Sequence, residues 1–456
     1  MLTRIEIDGF KTFREFAVDL VPFQVIVGPN AVGKSNLFDA LHLLSRLAET
    51  DLYAAFQNLR GEPDDMFSLS TPGRRMETIR FAVEVLLDPR VRDPWGVEVK
   101  PKHTRIRYEL TLIRKSSNGK VDRLYVAHEA AKPIQKKDDT WATKFISSGF
   151  RGTYAQYVKG RAAPWLDTVV KEGVPSFTIR QDLRAGRTRP ADAAESTNLS
   201  SMTSAEFPHL FALREELRAW RFLQLNPEAL RGACSMLAAN RLSHDGSNLA
   251  AVLARIKNET PPGDSGIGVL SDISVTMSHL VPGIRTTDVI EDKKRREYRI
   301  EIVMQDGNVF PSRVLSDGTL RILALVVLMD DPSEHGLICF EEPENGVHPF
   351  RLGQMIQMLR KHSAQLRDEA ASPDELLKQV LVNSHSPVVL KHLEPEQMLF
   401  ADVITWVAPP PESSIARCTR LRRVQSKLFE DNDECVTTDH VSRLLETAMP
   451  DAEFAQ

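Results

Sequence analysis

Several things are scarce in this chain of 456 residues. It has four cysteines, Cys234, Cys339, Cys418 and Cys435, with no C-x-x-C pair and no His/Cys ligand spacing. That excludes a disulfide framework and structural zinc, and fits a reduced, cytoplasmic setting. The longest apolar run is ILALVVLM at residues 322–329, far short of the ~20 residues that cross a bilayer, so no membrane partner is expected. The opening MLTRIEIDGF lacks the apolar centre of a secretory leader. No excess of one charge exists: 58 Lys and Arg face 62 Asp and Glu, for a net charge of −4. Nothing global therefore demands a polyanion. There is no internal repeat and no sustained heptad, so no long coiled coil is expected. What remains is 42% hydrophobic and 26% charged, the balance of a globular protein of about three domains.

The stretch FQVIVGPNAVGKSN, residues 23–36, organises the rest. An apolar strand leads into Gly28, four residues, then Gly33, Lys34 and Ser35. This is the G-x-x-x-x-G-K-[ST] spacing of a phosphate-binding loop, or Walker A. The glycines let successive N–H groups turn toward one anion, with Asn30 at the loop tip. Lys34 reaches the outer phosphates and the Ser35 hydroxyl can ligate Mg²⁺. The helix that starts at about Gly33, and includes Asn36, adds its positive end to the anion site.

Around the loop the pattern is mostly strand. Residues 2–8 alternate, and further strands are expected at 16–20 and 24–27. Lys11 and Phe13 fall in a turn, read as a solvated lysine and a packed aromatic. Period two returns over 79–131, with a hairpin turn at 116–119, which predicts an antiparallel sheet. Residues 132–206 are mixed, and carry a basic cluster of Arg180, Arg184, Arg187 and Arg189. Helical spacing is read at 208–225, 249–256 and 267–280. A second basic run, KKRR at 293–296, precedes a strand. Each cluster could contact a phosphate backbone, but a charge run on a loop is more often merely solvated, and a solubilising turn accounts for the second at least as well.

Three motifs close the chain's second half. VLSDGT at 314–319 opens an apolar helix with Ser316 and Gly318 at its N-terminus, a place that binds anions and also caps ordinary helices. LICFEE at 337–342 reads as a buried strand delivering Glu341 and Glu342 at its end. One acid can support the metal and the next can polarise water. VLVNSHSP at 380–387 is a buried strand ending in His385, which can hydrogen-bond a terminal phosphate.

In this order the motifs resemble the ABC-type ATPase heads of the SMC/RecF/OLD group, and most nearly the stand-alone AAA_21-type bacterial ATPases. GPNAVGKSN is similar to their Walker A, LSDGT to the signature, LICFEE to Walker B and NSHSP to the His switch. The resemblance implies an α/β P-loop NTPase head with an antiparallel β subdomain and a mostly helical insert or lid lobe. The expected divisions are an N-terminal lobe 1–131, an insert 132–300, a C-terminal ATPase lobe 301–399 and a tail 400–456. It implies ATP and Mg²⁺ as cofactors. Gly28, Asn30, Gly33, Lys34, Ser35 and Asn36 would hold the nucleotide, with Ser316 and Gly318 acting in trans across a homodimer. Ser35 and Glu341 would hold the metal. Glu342, His385 and Lys34 would be catalytic.

The implied function is an ATP-driven dimerising switch in anti-phage defence or DNA repair. Its partners would be DNA or RNA, a separate nuclease-like effector, or a higher oligomer. A slow ATP-bound scaffold for a nuclease or toxin is the alternative, because Glu341 stands where such heads usually place Asp. The metal-supporting glutamine has three candidates, Gln57, Gln135 and Gln156. No Toprim nuclease pattern follows Leu399.

Overall fold

Strand Phe23–Val27 is buried at every residue, as a strand covered on both faces must be. The computed structural model that shows this describes residues 1–57, 59–71, 74–117, 120–158, 163–171, 174–180, 187–190, 194–203, 206–260, 268–367, 377–407, 415–425 and 434–447. Phe23–Val27 sits at the middle of a seven-stranded sheet. Lys378–Ser384 and then Gly336–Glu341 lie parallel to it on one side, and Arg221–Leu223 closes that edge. On the other side Met398–Val407 is also parallel, followed by Ile415–Gln425 and Cys435–Thr437.

The alternation along these strands splits the molecule's interior in two. Ile26, Leu337, Cys339, Leu381 and Leu399 point into one core, shared with helix Lys34–Leu47 and with a second sheet. Val25, Val27, Ile338, Phe340, Val380 and Val382 point into the other. That second core is covered by helices Leu249–Glu259, Val269–Leu280, Asp317–Asp330 and Pro349–Lys361. The parallel sheet is therefore a wall between two cores, and its C-terminal edge is where loops gather.

The second sheet is antiparallel with eight strands. Their order is Arg187–Pro190, Val174–Ile179, Leu166–Lys171, Lys120–Pro133, Arg105–Ser117, Thr78–Leu86, Leu2–Asp8, Phe16–Asp19. Strands at 166–190, inside the region expected to be mostly helical, thus extend this sheet. In a smaller sheet Glu297–Met304 pairs with Ile284–Asp292, Val309–Pro311 and Cys234–Ser235.

Two sequence expectations change. The helix expected over 208–225 ends at Arg218, and Arg221–Leu223 is a strand beside Ile338–Phe340. Edge pairing, which has no local signature, overrides the apolar spacing there. Lys11 is not solvated. Its Nζ lies 2.6 Å from Asp39 Oδ2 with a nearly buried side chain, while Phe13 is fully buried as expected.

The tail beyond residue 399 is part of the main sheet and braces the phosphate loop. The Thr419 hydroxyl donates to the Val32 carbonyl at 2.7 Å and lies 2.7 Å from the Thr12 hydroxyl, which accepts from Asn36 Nδ2 at 2.9 Å. A Cβ on Gly33, whose φ is 98°, would run into Thr419. Gly33 is thus required both by its left-handed backbone and by this close approach.

Candidate nucleotide site

Three adjacent parallel strands end together. Phe23–Val27 runs into the phosphate loop, Gly336–Glu341 ends in the acids, and Lys378–Ser384 ends before His385. Asn30 and Ala31 are exposed at the loop tip, and Ala31 takes a left-handed φ of 63°. Helix Lys34–Leu47 starts at Lys34 with no side-chain cap and no acid in its first turn. Its leading N–H groups are left for an anion.

Lys34 is 7% exposed. Its ammonium donates to the Gly28 carbonyl at 2.7 Å and the Pro29 carbonyl at 2.8 Å. Burial pushes its pKa down, opposed by the nearby charges of Glu342, Glu344 and Glu341. Ser35 Oγ accepts weakly from Asn383 Nδ2 at 3.4 Å.

The acidic turn is strained and tightly laced. Glu342 has φ 47°, outside a comfortable region for a side-chain-bearing residue. Its N–H donates to the Asn383 carbonyl at 2.8 Å, and its Oε2 accepts from Asn345 Nδ2 at 2.8 Å. His385 Nδ1 lies 3.4 Å from Glu342 Oε1 and 3.9 Å from Glu344 Oε1. Three buried polar atoms here have no hydrogen-bond partner: Asn383 Oδ1, Glu344 Oε2 and His385 Nδ1. Folded proteins leave few such atoms, so three together call for a physical account.

Glu341 is held by a group the sequence did not flag. Arg60 Nη2 donates to Glu341 Oε1 at 2.8 Å, and Arg60 Nε to Asp39 Oδ1 at 3.1 Å. Lys11 holds the other Asp39 oxygen. Among the described residues, no hydrogen bond joins any of the three candidate glutamines to Ser35 or Glu341. Gln57 is exposed at the end of helix Leu52–Gln57. Gln156 Nε2 donates to the Thr153 carbonyl, and the Gln135 carbonyl accepts from Asp138 N. Arg60 falls in a short turn of mixed polarity, and Asp39 reads as an ordinary polar position of an amphipathic helix.

Ser316 is the exposed N-cap of helix Asp317–Asp330, and its Oγ accepts from Thr319 N at 3.2 Å. Gly318 is buried, and a Cβ there would collide with the Gly346 carbonyl. Among the described residues, no hydrogen bond or ion pair joins Ser316 or Gly318 to residues 28–36. Gly318 instead borders the acidic turn at Gly346. Of the basic residues, Arg180 Nη1 donates to the Pro164 carbonyl. Arg184 lies outside the described residues, as does the tip of the 116–119 hairpin. The KKRR run lies at the turn between Ile284–Asp292 and Glu297–Met304.

The donor set fits a metal-bound triphosphate. A bent loop of N–H groups and one lysine would meet phosphate oxygens, and one serine hydroxyl and one strand-end carboxylate would offer oxygen ligands to Mg²⁺. No group of three or more His, Cys, Asp or Glu that could cage a metal by itself is found among the described residues, nor is any helix long and apolar enough to cross a membrane.

Parts of the chain are similar to known proteins. Residues 190–391 match the AAA_21 family, described as "AAA domain, putative AbiEii toxin, Type IV TA system". Residues 1–86 match the AAA_15 family, described as an AAA ATPase domain. The chromosome partition protein Smc of Bordetella petrii is 37% identical over 89 residues, 19% of this chain. The match spans only 7% of that relative's length. Among solved structures, an Smc head bound to the C-terminal winged-helix domain of ScpA is 12% identical with a TM-score of 0.45, covering 92% of this chain and 98% of that one. The SMC head domain of Thermotoga maritima is 13% identical with a TM-score of 0.36, covering 93% and 99%. The Smc head of Pyrococcus yayanosii, with coiled coil and joint, is 12% identical with a TM-score of 0.42, covering 98% and 99%. Residues 1–86 and 190–391 are thus similar to two ATPase-domain families, and strands from the two stretches lie side by side in one parallel sheet.

Proposed function

We propose that the chain binds Mg-ATP at this strand edge, hydrolyses it, and uses it to hold two copies head to head. The observation that carries the reading is the convergence of Lys34, Ser35, Glu341, Glu342 and His385 at the ends of three neighbouring strands. Lys34 and the free N–H groups of the loop would bind the phosphates, with Gly28, Asn30, Gly33 and Asn36 shaping the cradle. Ser35 and Glu341 would hold Mg²⁺, which when bound neutralises phosphate charge. Glu342, fixed by Asn345, would orient and polarise the attacking water. His385 would donate to the terminal phosphate. The exposed Ser316, at the uncrowded face of its helix N-terminus, would meet the nucleotide of a second copy, with Gly318 keeping that helix close to the acidic turn.

In this reading ATP favours the closed pair and hydrolysis releases it. The output is nucleic-acid handling or control of a separate effector, as in defence or repair systems. The turn at 293–296 is the candidate backbone contact.

Phosphate release measured on wild type and Glu342→Gln, beside equilibrium ATP binding and size-exclusion chromatography with ATP, tests the proposal. Turnover should be lost in the variant while ATP binding and ATP-dependent dimerisation persist. A wild type that retains no Mg-ATP overturns it.

One observation favours the scaffold reading. Arg60 already occupies Glu341, so metal must compete with a guanidinium for that carboxylate. A wild type that retains ATP and dimerises, but releases phosphate no faster than Glu342→Gln, would be that scaffold.

A further inference from the structure

We propose that Glu344 is a positioning residue that sets His385 against Glu342, a role that rests on the ATPase reading above. Its side chain is only 8% exposed. One oxygen does all its hydrogen bonding. Oε1 accepts from the Ser384 hydroxyl at 2.5 Å and from the His385 N–H at 3.3 Å. The Ser384 hydroxyl in turn accepts from the Ser386 N–H at 3.1 Å. Three consecutive residues of the switch segment thus hang on a single carboxylate oxygen.

The other oxygen, Oε2, is buried and has no hydrogen-bond partner. A carboxylate serving only to brace a turn would be arranged differently, and the same molecule provides the contrast. Glu129, fully buried, accepts from Asn198 N, Asn198 Nδ2, Leu199 N and the Tyr108 hydroxyl, so both its oxygens are met. Leaving an acceptor buried and unmet is unfavourable and persists where the position serves another end. At Glu344 that end is local. Its negative charge faces the Lys34 ammonium and the His385 ring.

The division of labour follows from the distances. Asn345 fixes the orientation of Glu342 by its Oε2. Glu344 fixes the backbone from which His385 projects. The His385 Nδ1 is left 3.4 Å from Glu342 Oε1 without an aligned hydrogen bond. The ring is therefore aimed by the main chain rather than by its own contacts, and losing Glu344 would let it swing away while the phosphate loop stays intact.

Glu344→Gln keeps an acceptor for Ser384 and His385 but removes the charge, and Glu344→Ala removes both. We expect kcat for phosphate release to fall about 10-fold in Glu344→Gln and about 100-fold in Glu344→Ala. KM and the Kd for ATP should stay within about 3-fold of wild type, since Glu344 makes no hydrogen bond or ion pair with Lys34 or the loop. Amide exchange at residues 384–386 should quicken in Glu344→Ala while helix Lys34–Leu47 stays protected. Unchanged kcat in both variants overturns the role. So does a loss of kcat accompanied by an equal loss of ATP binding, which is what a mere brace would give. If wild type itself neither binds nor turns over ATP, the ATPase reading fails instead. If wild type is active, His385→Ala is dead and the Glu344 variants are normal, this inference alone fails.

Discussion

The molecule holds two dense networks of acids and bases, and they are built in opposite ways. On the antiparallel sheet, Arg4, Glu84, Arg107 and Lys132 form a row across four strands, set by the register Arg4↔Glu84, Glu84↔Arg107 and Arg107↔Lys132. Glu6 and Glu109 sit beside that row. Arg107 donates to both Glu6 oxygens, at 2.7 and 3.1 Å, and to Glu109 at 2.7 Å, while Lys132 reaches Glu109 at 2.8 Å. None of these six side chains keeps a buried nitrogen or oxygen without a hydrogen-bond partner. The Arg107 guanidinium holds the Glu6 carboxyl down to about 2, and His128, Arg107 and Lys132 hold Glu109 well below the usual carboxylate range. At the strand ends the opposite holds. Glu342 is in a left-handed backbone and three buried polar atoms nearby are unpartnered. A closed network stabilises what is already there. An open, strained one is kept for something that arrives later.

The sharpest way to break this contrast is at the open network. Lys34→Ala and Glu342→Gln should each lower phosphate release by at least about 100-fold, while the melting temperature moves little. A large loss of thermal stability in either variant would mean that the open network was structural after all.

The closed network should respond the other way. Arg107→Ala leaves Glu6 and Glu109 facing each other across the sheet. It should cost about 2 kcal/mol, because the site is partly buried but not sealed. Chemical denaturation reads the loss, and phosphate release per folded molecule should be unchanged.

A pH series sharpens the comparison further. Because Glu6 titrates lower in the folded chain than in the unfolded one, its contribution is present above about pH 4.5 and fades as pH falls toward about 2. Glu6 keeps roughly a third of its side chain exposed, so the effect should be no more than about 1 kcal/mol. Glu6→Gln should flatten the acid limb of the stability curve.

An effect of similar size and opposite sign is expected at Asp330, the last residue of helix Asp317–Asp330, where the helix dipole also disfavours a carboxylate. Burial pushes its pKa up to about 6. A raised value in the folded state means stability is greatest below about pH 4 and declines as pH rises through 6. Asp330→Asn should therefore gain about 1 kcal/mol at pH 7.5 and nothing near pH 4. A gain that is the same at both values would rule out ionisation as the cause.

Much of the site was legible because buried parallel strands are apolar runs, and each here stops abruptly at a polar group. VIVG, ICFEE and LVNSH all announce strand ends with chemistry attached. Spacing alone put Lys34 and Ser35 on the helix start. The remainder was hidden because it depends on contacts between distant residues. Arg60 meets Glu341 across most of the chain, and Lys11 was read as solvated because Asp39, its partner, has no marker in a helix pattern. The strand Arg221–Leu223 is too short to show period two and was absorbed into the helix before it. Glu344 was visible only as one more acid in EEPENG, since nothing local tells which oxygen will be met.

The contact between Thr419 and Val32 carries a practical consequence for anyone trimming this protein. A fragment ending near residue 395 would retain every recognisable motif and look complete on paper. It would have lost the hydroxyl that props up the carbonyl just before Gly33, together with the three strands on that side of the sheet, of which Met398–Val407 pairs directly with Phe23–Val27. Such a fragment should fold poorly and grip nucleotide weakly, so the minimal working unit extends well beyond its last signature.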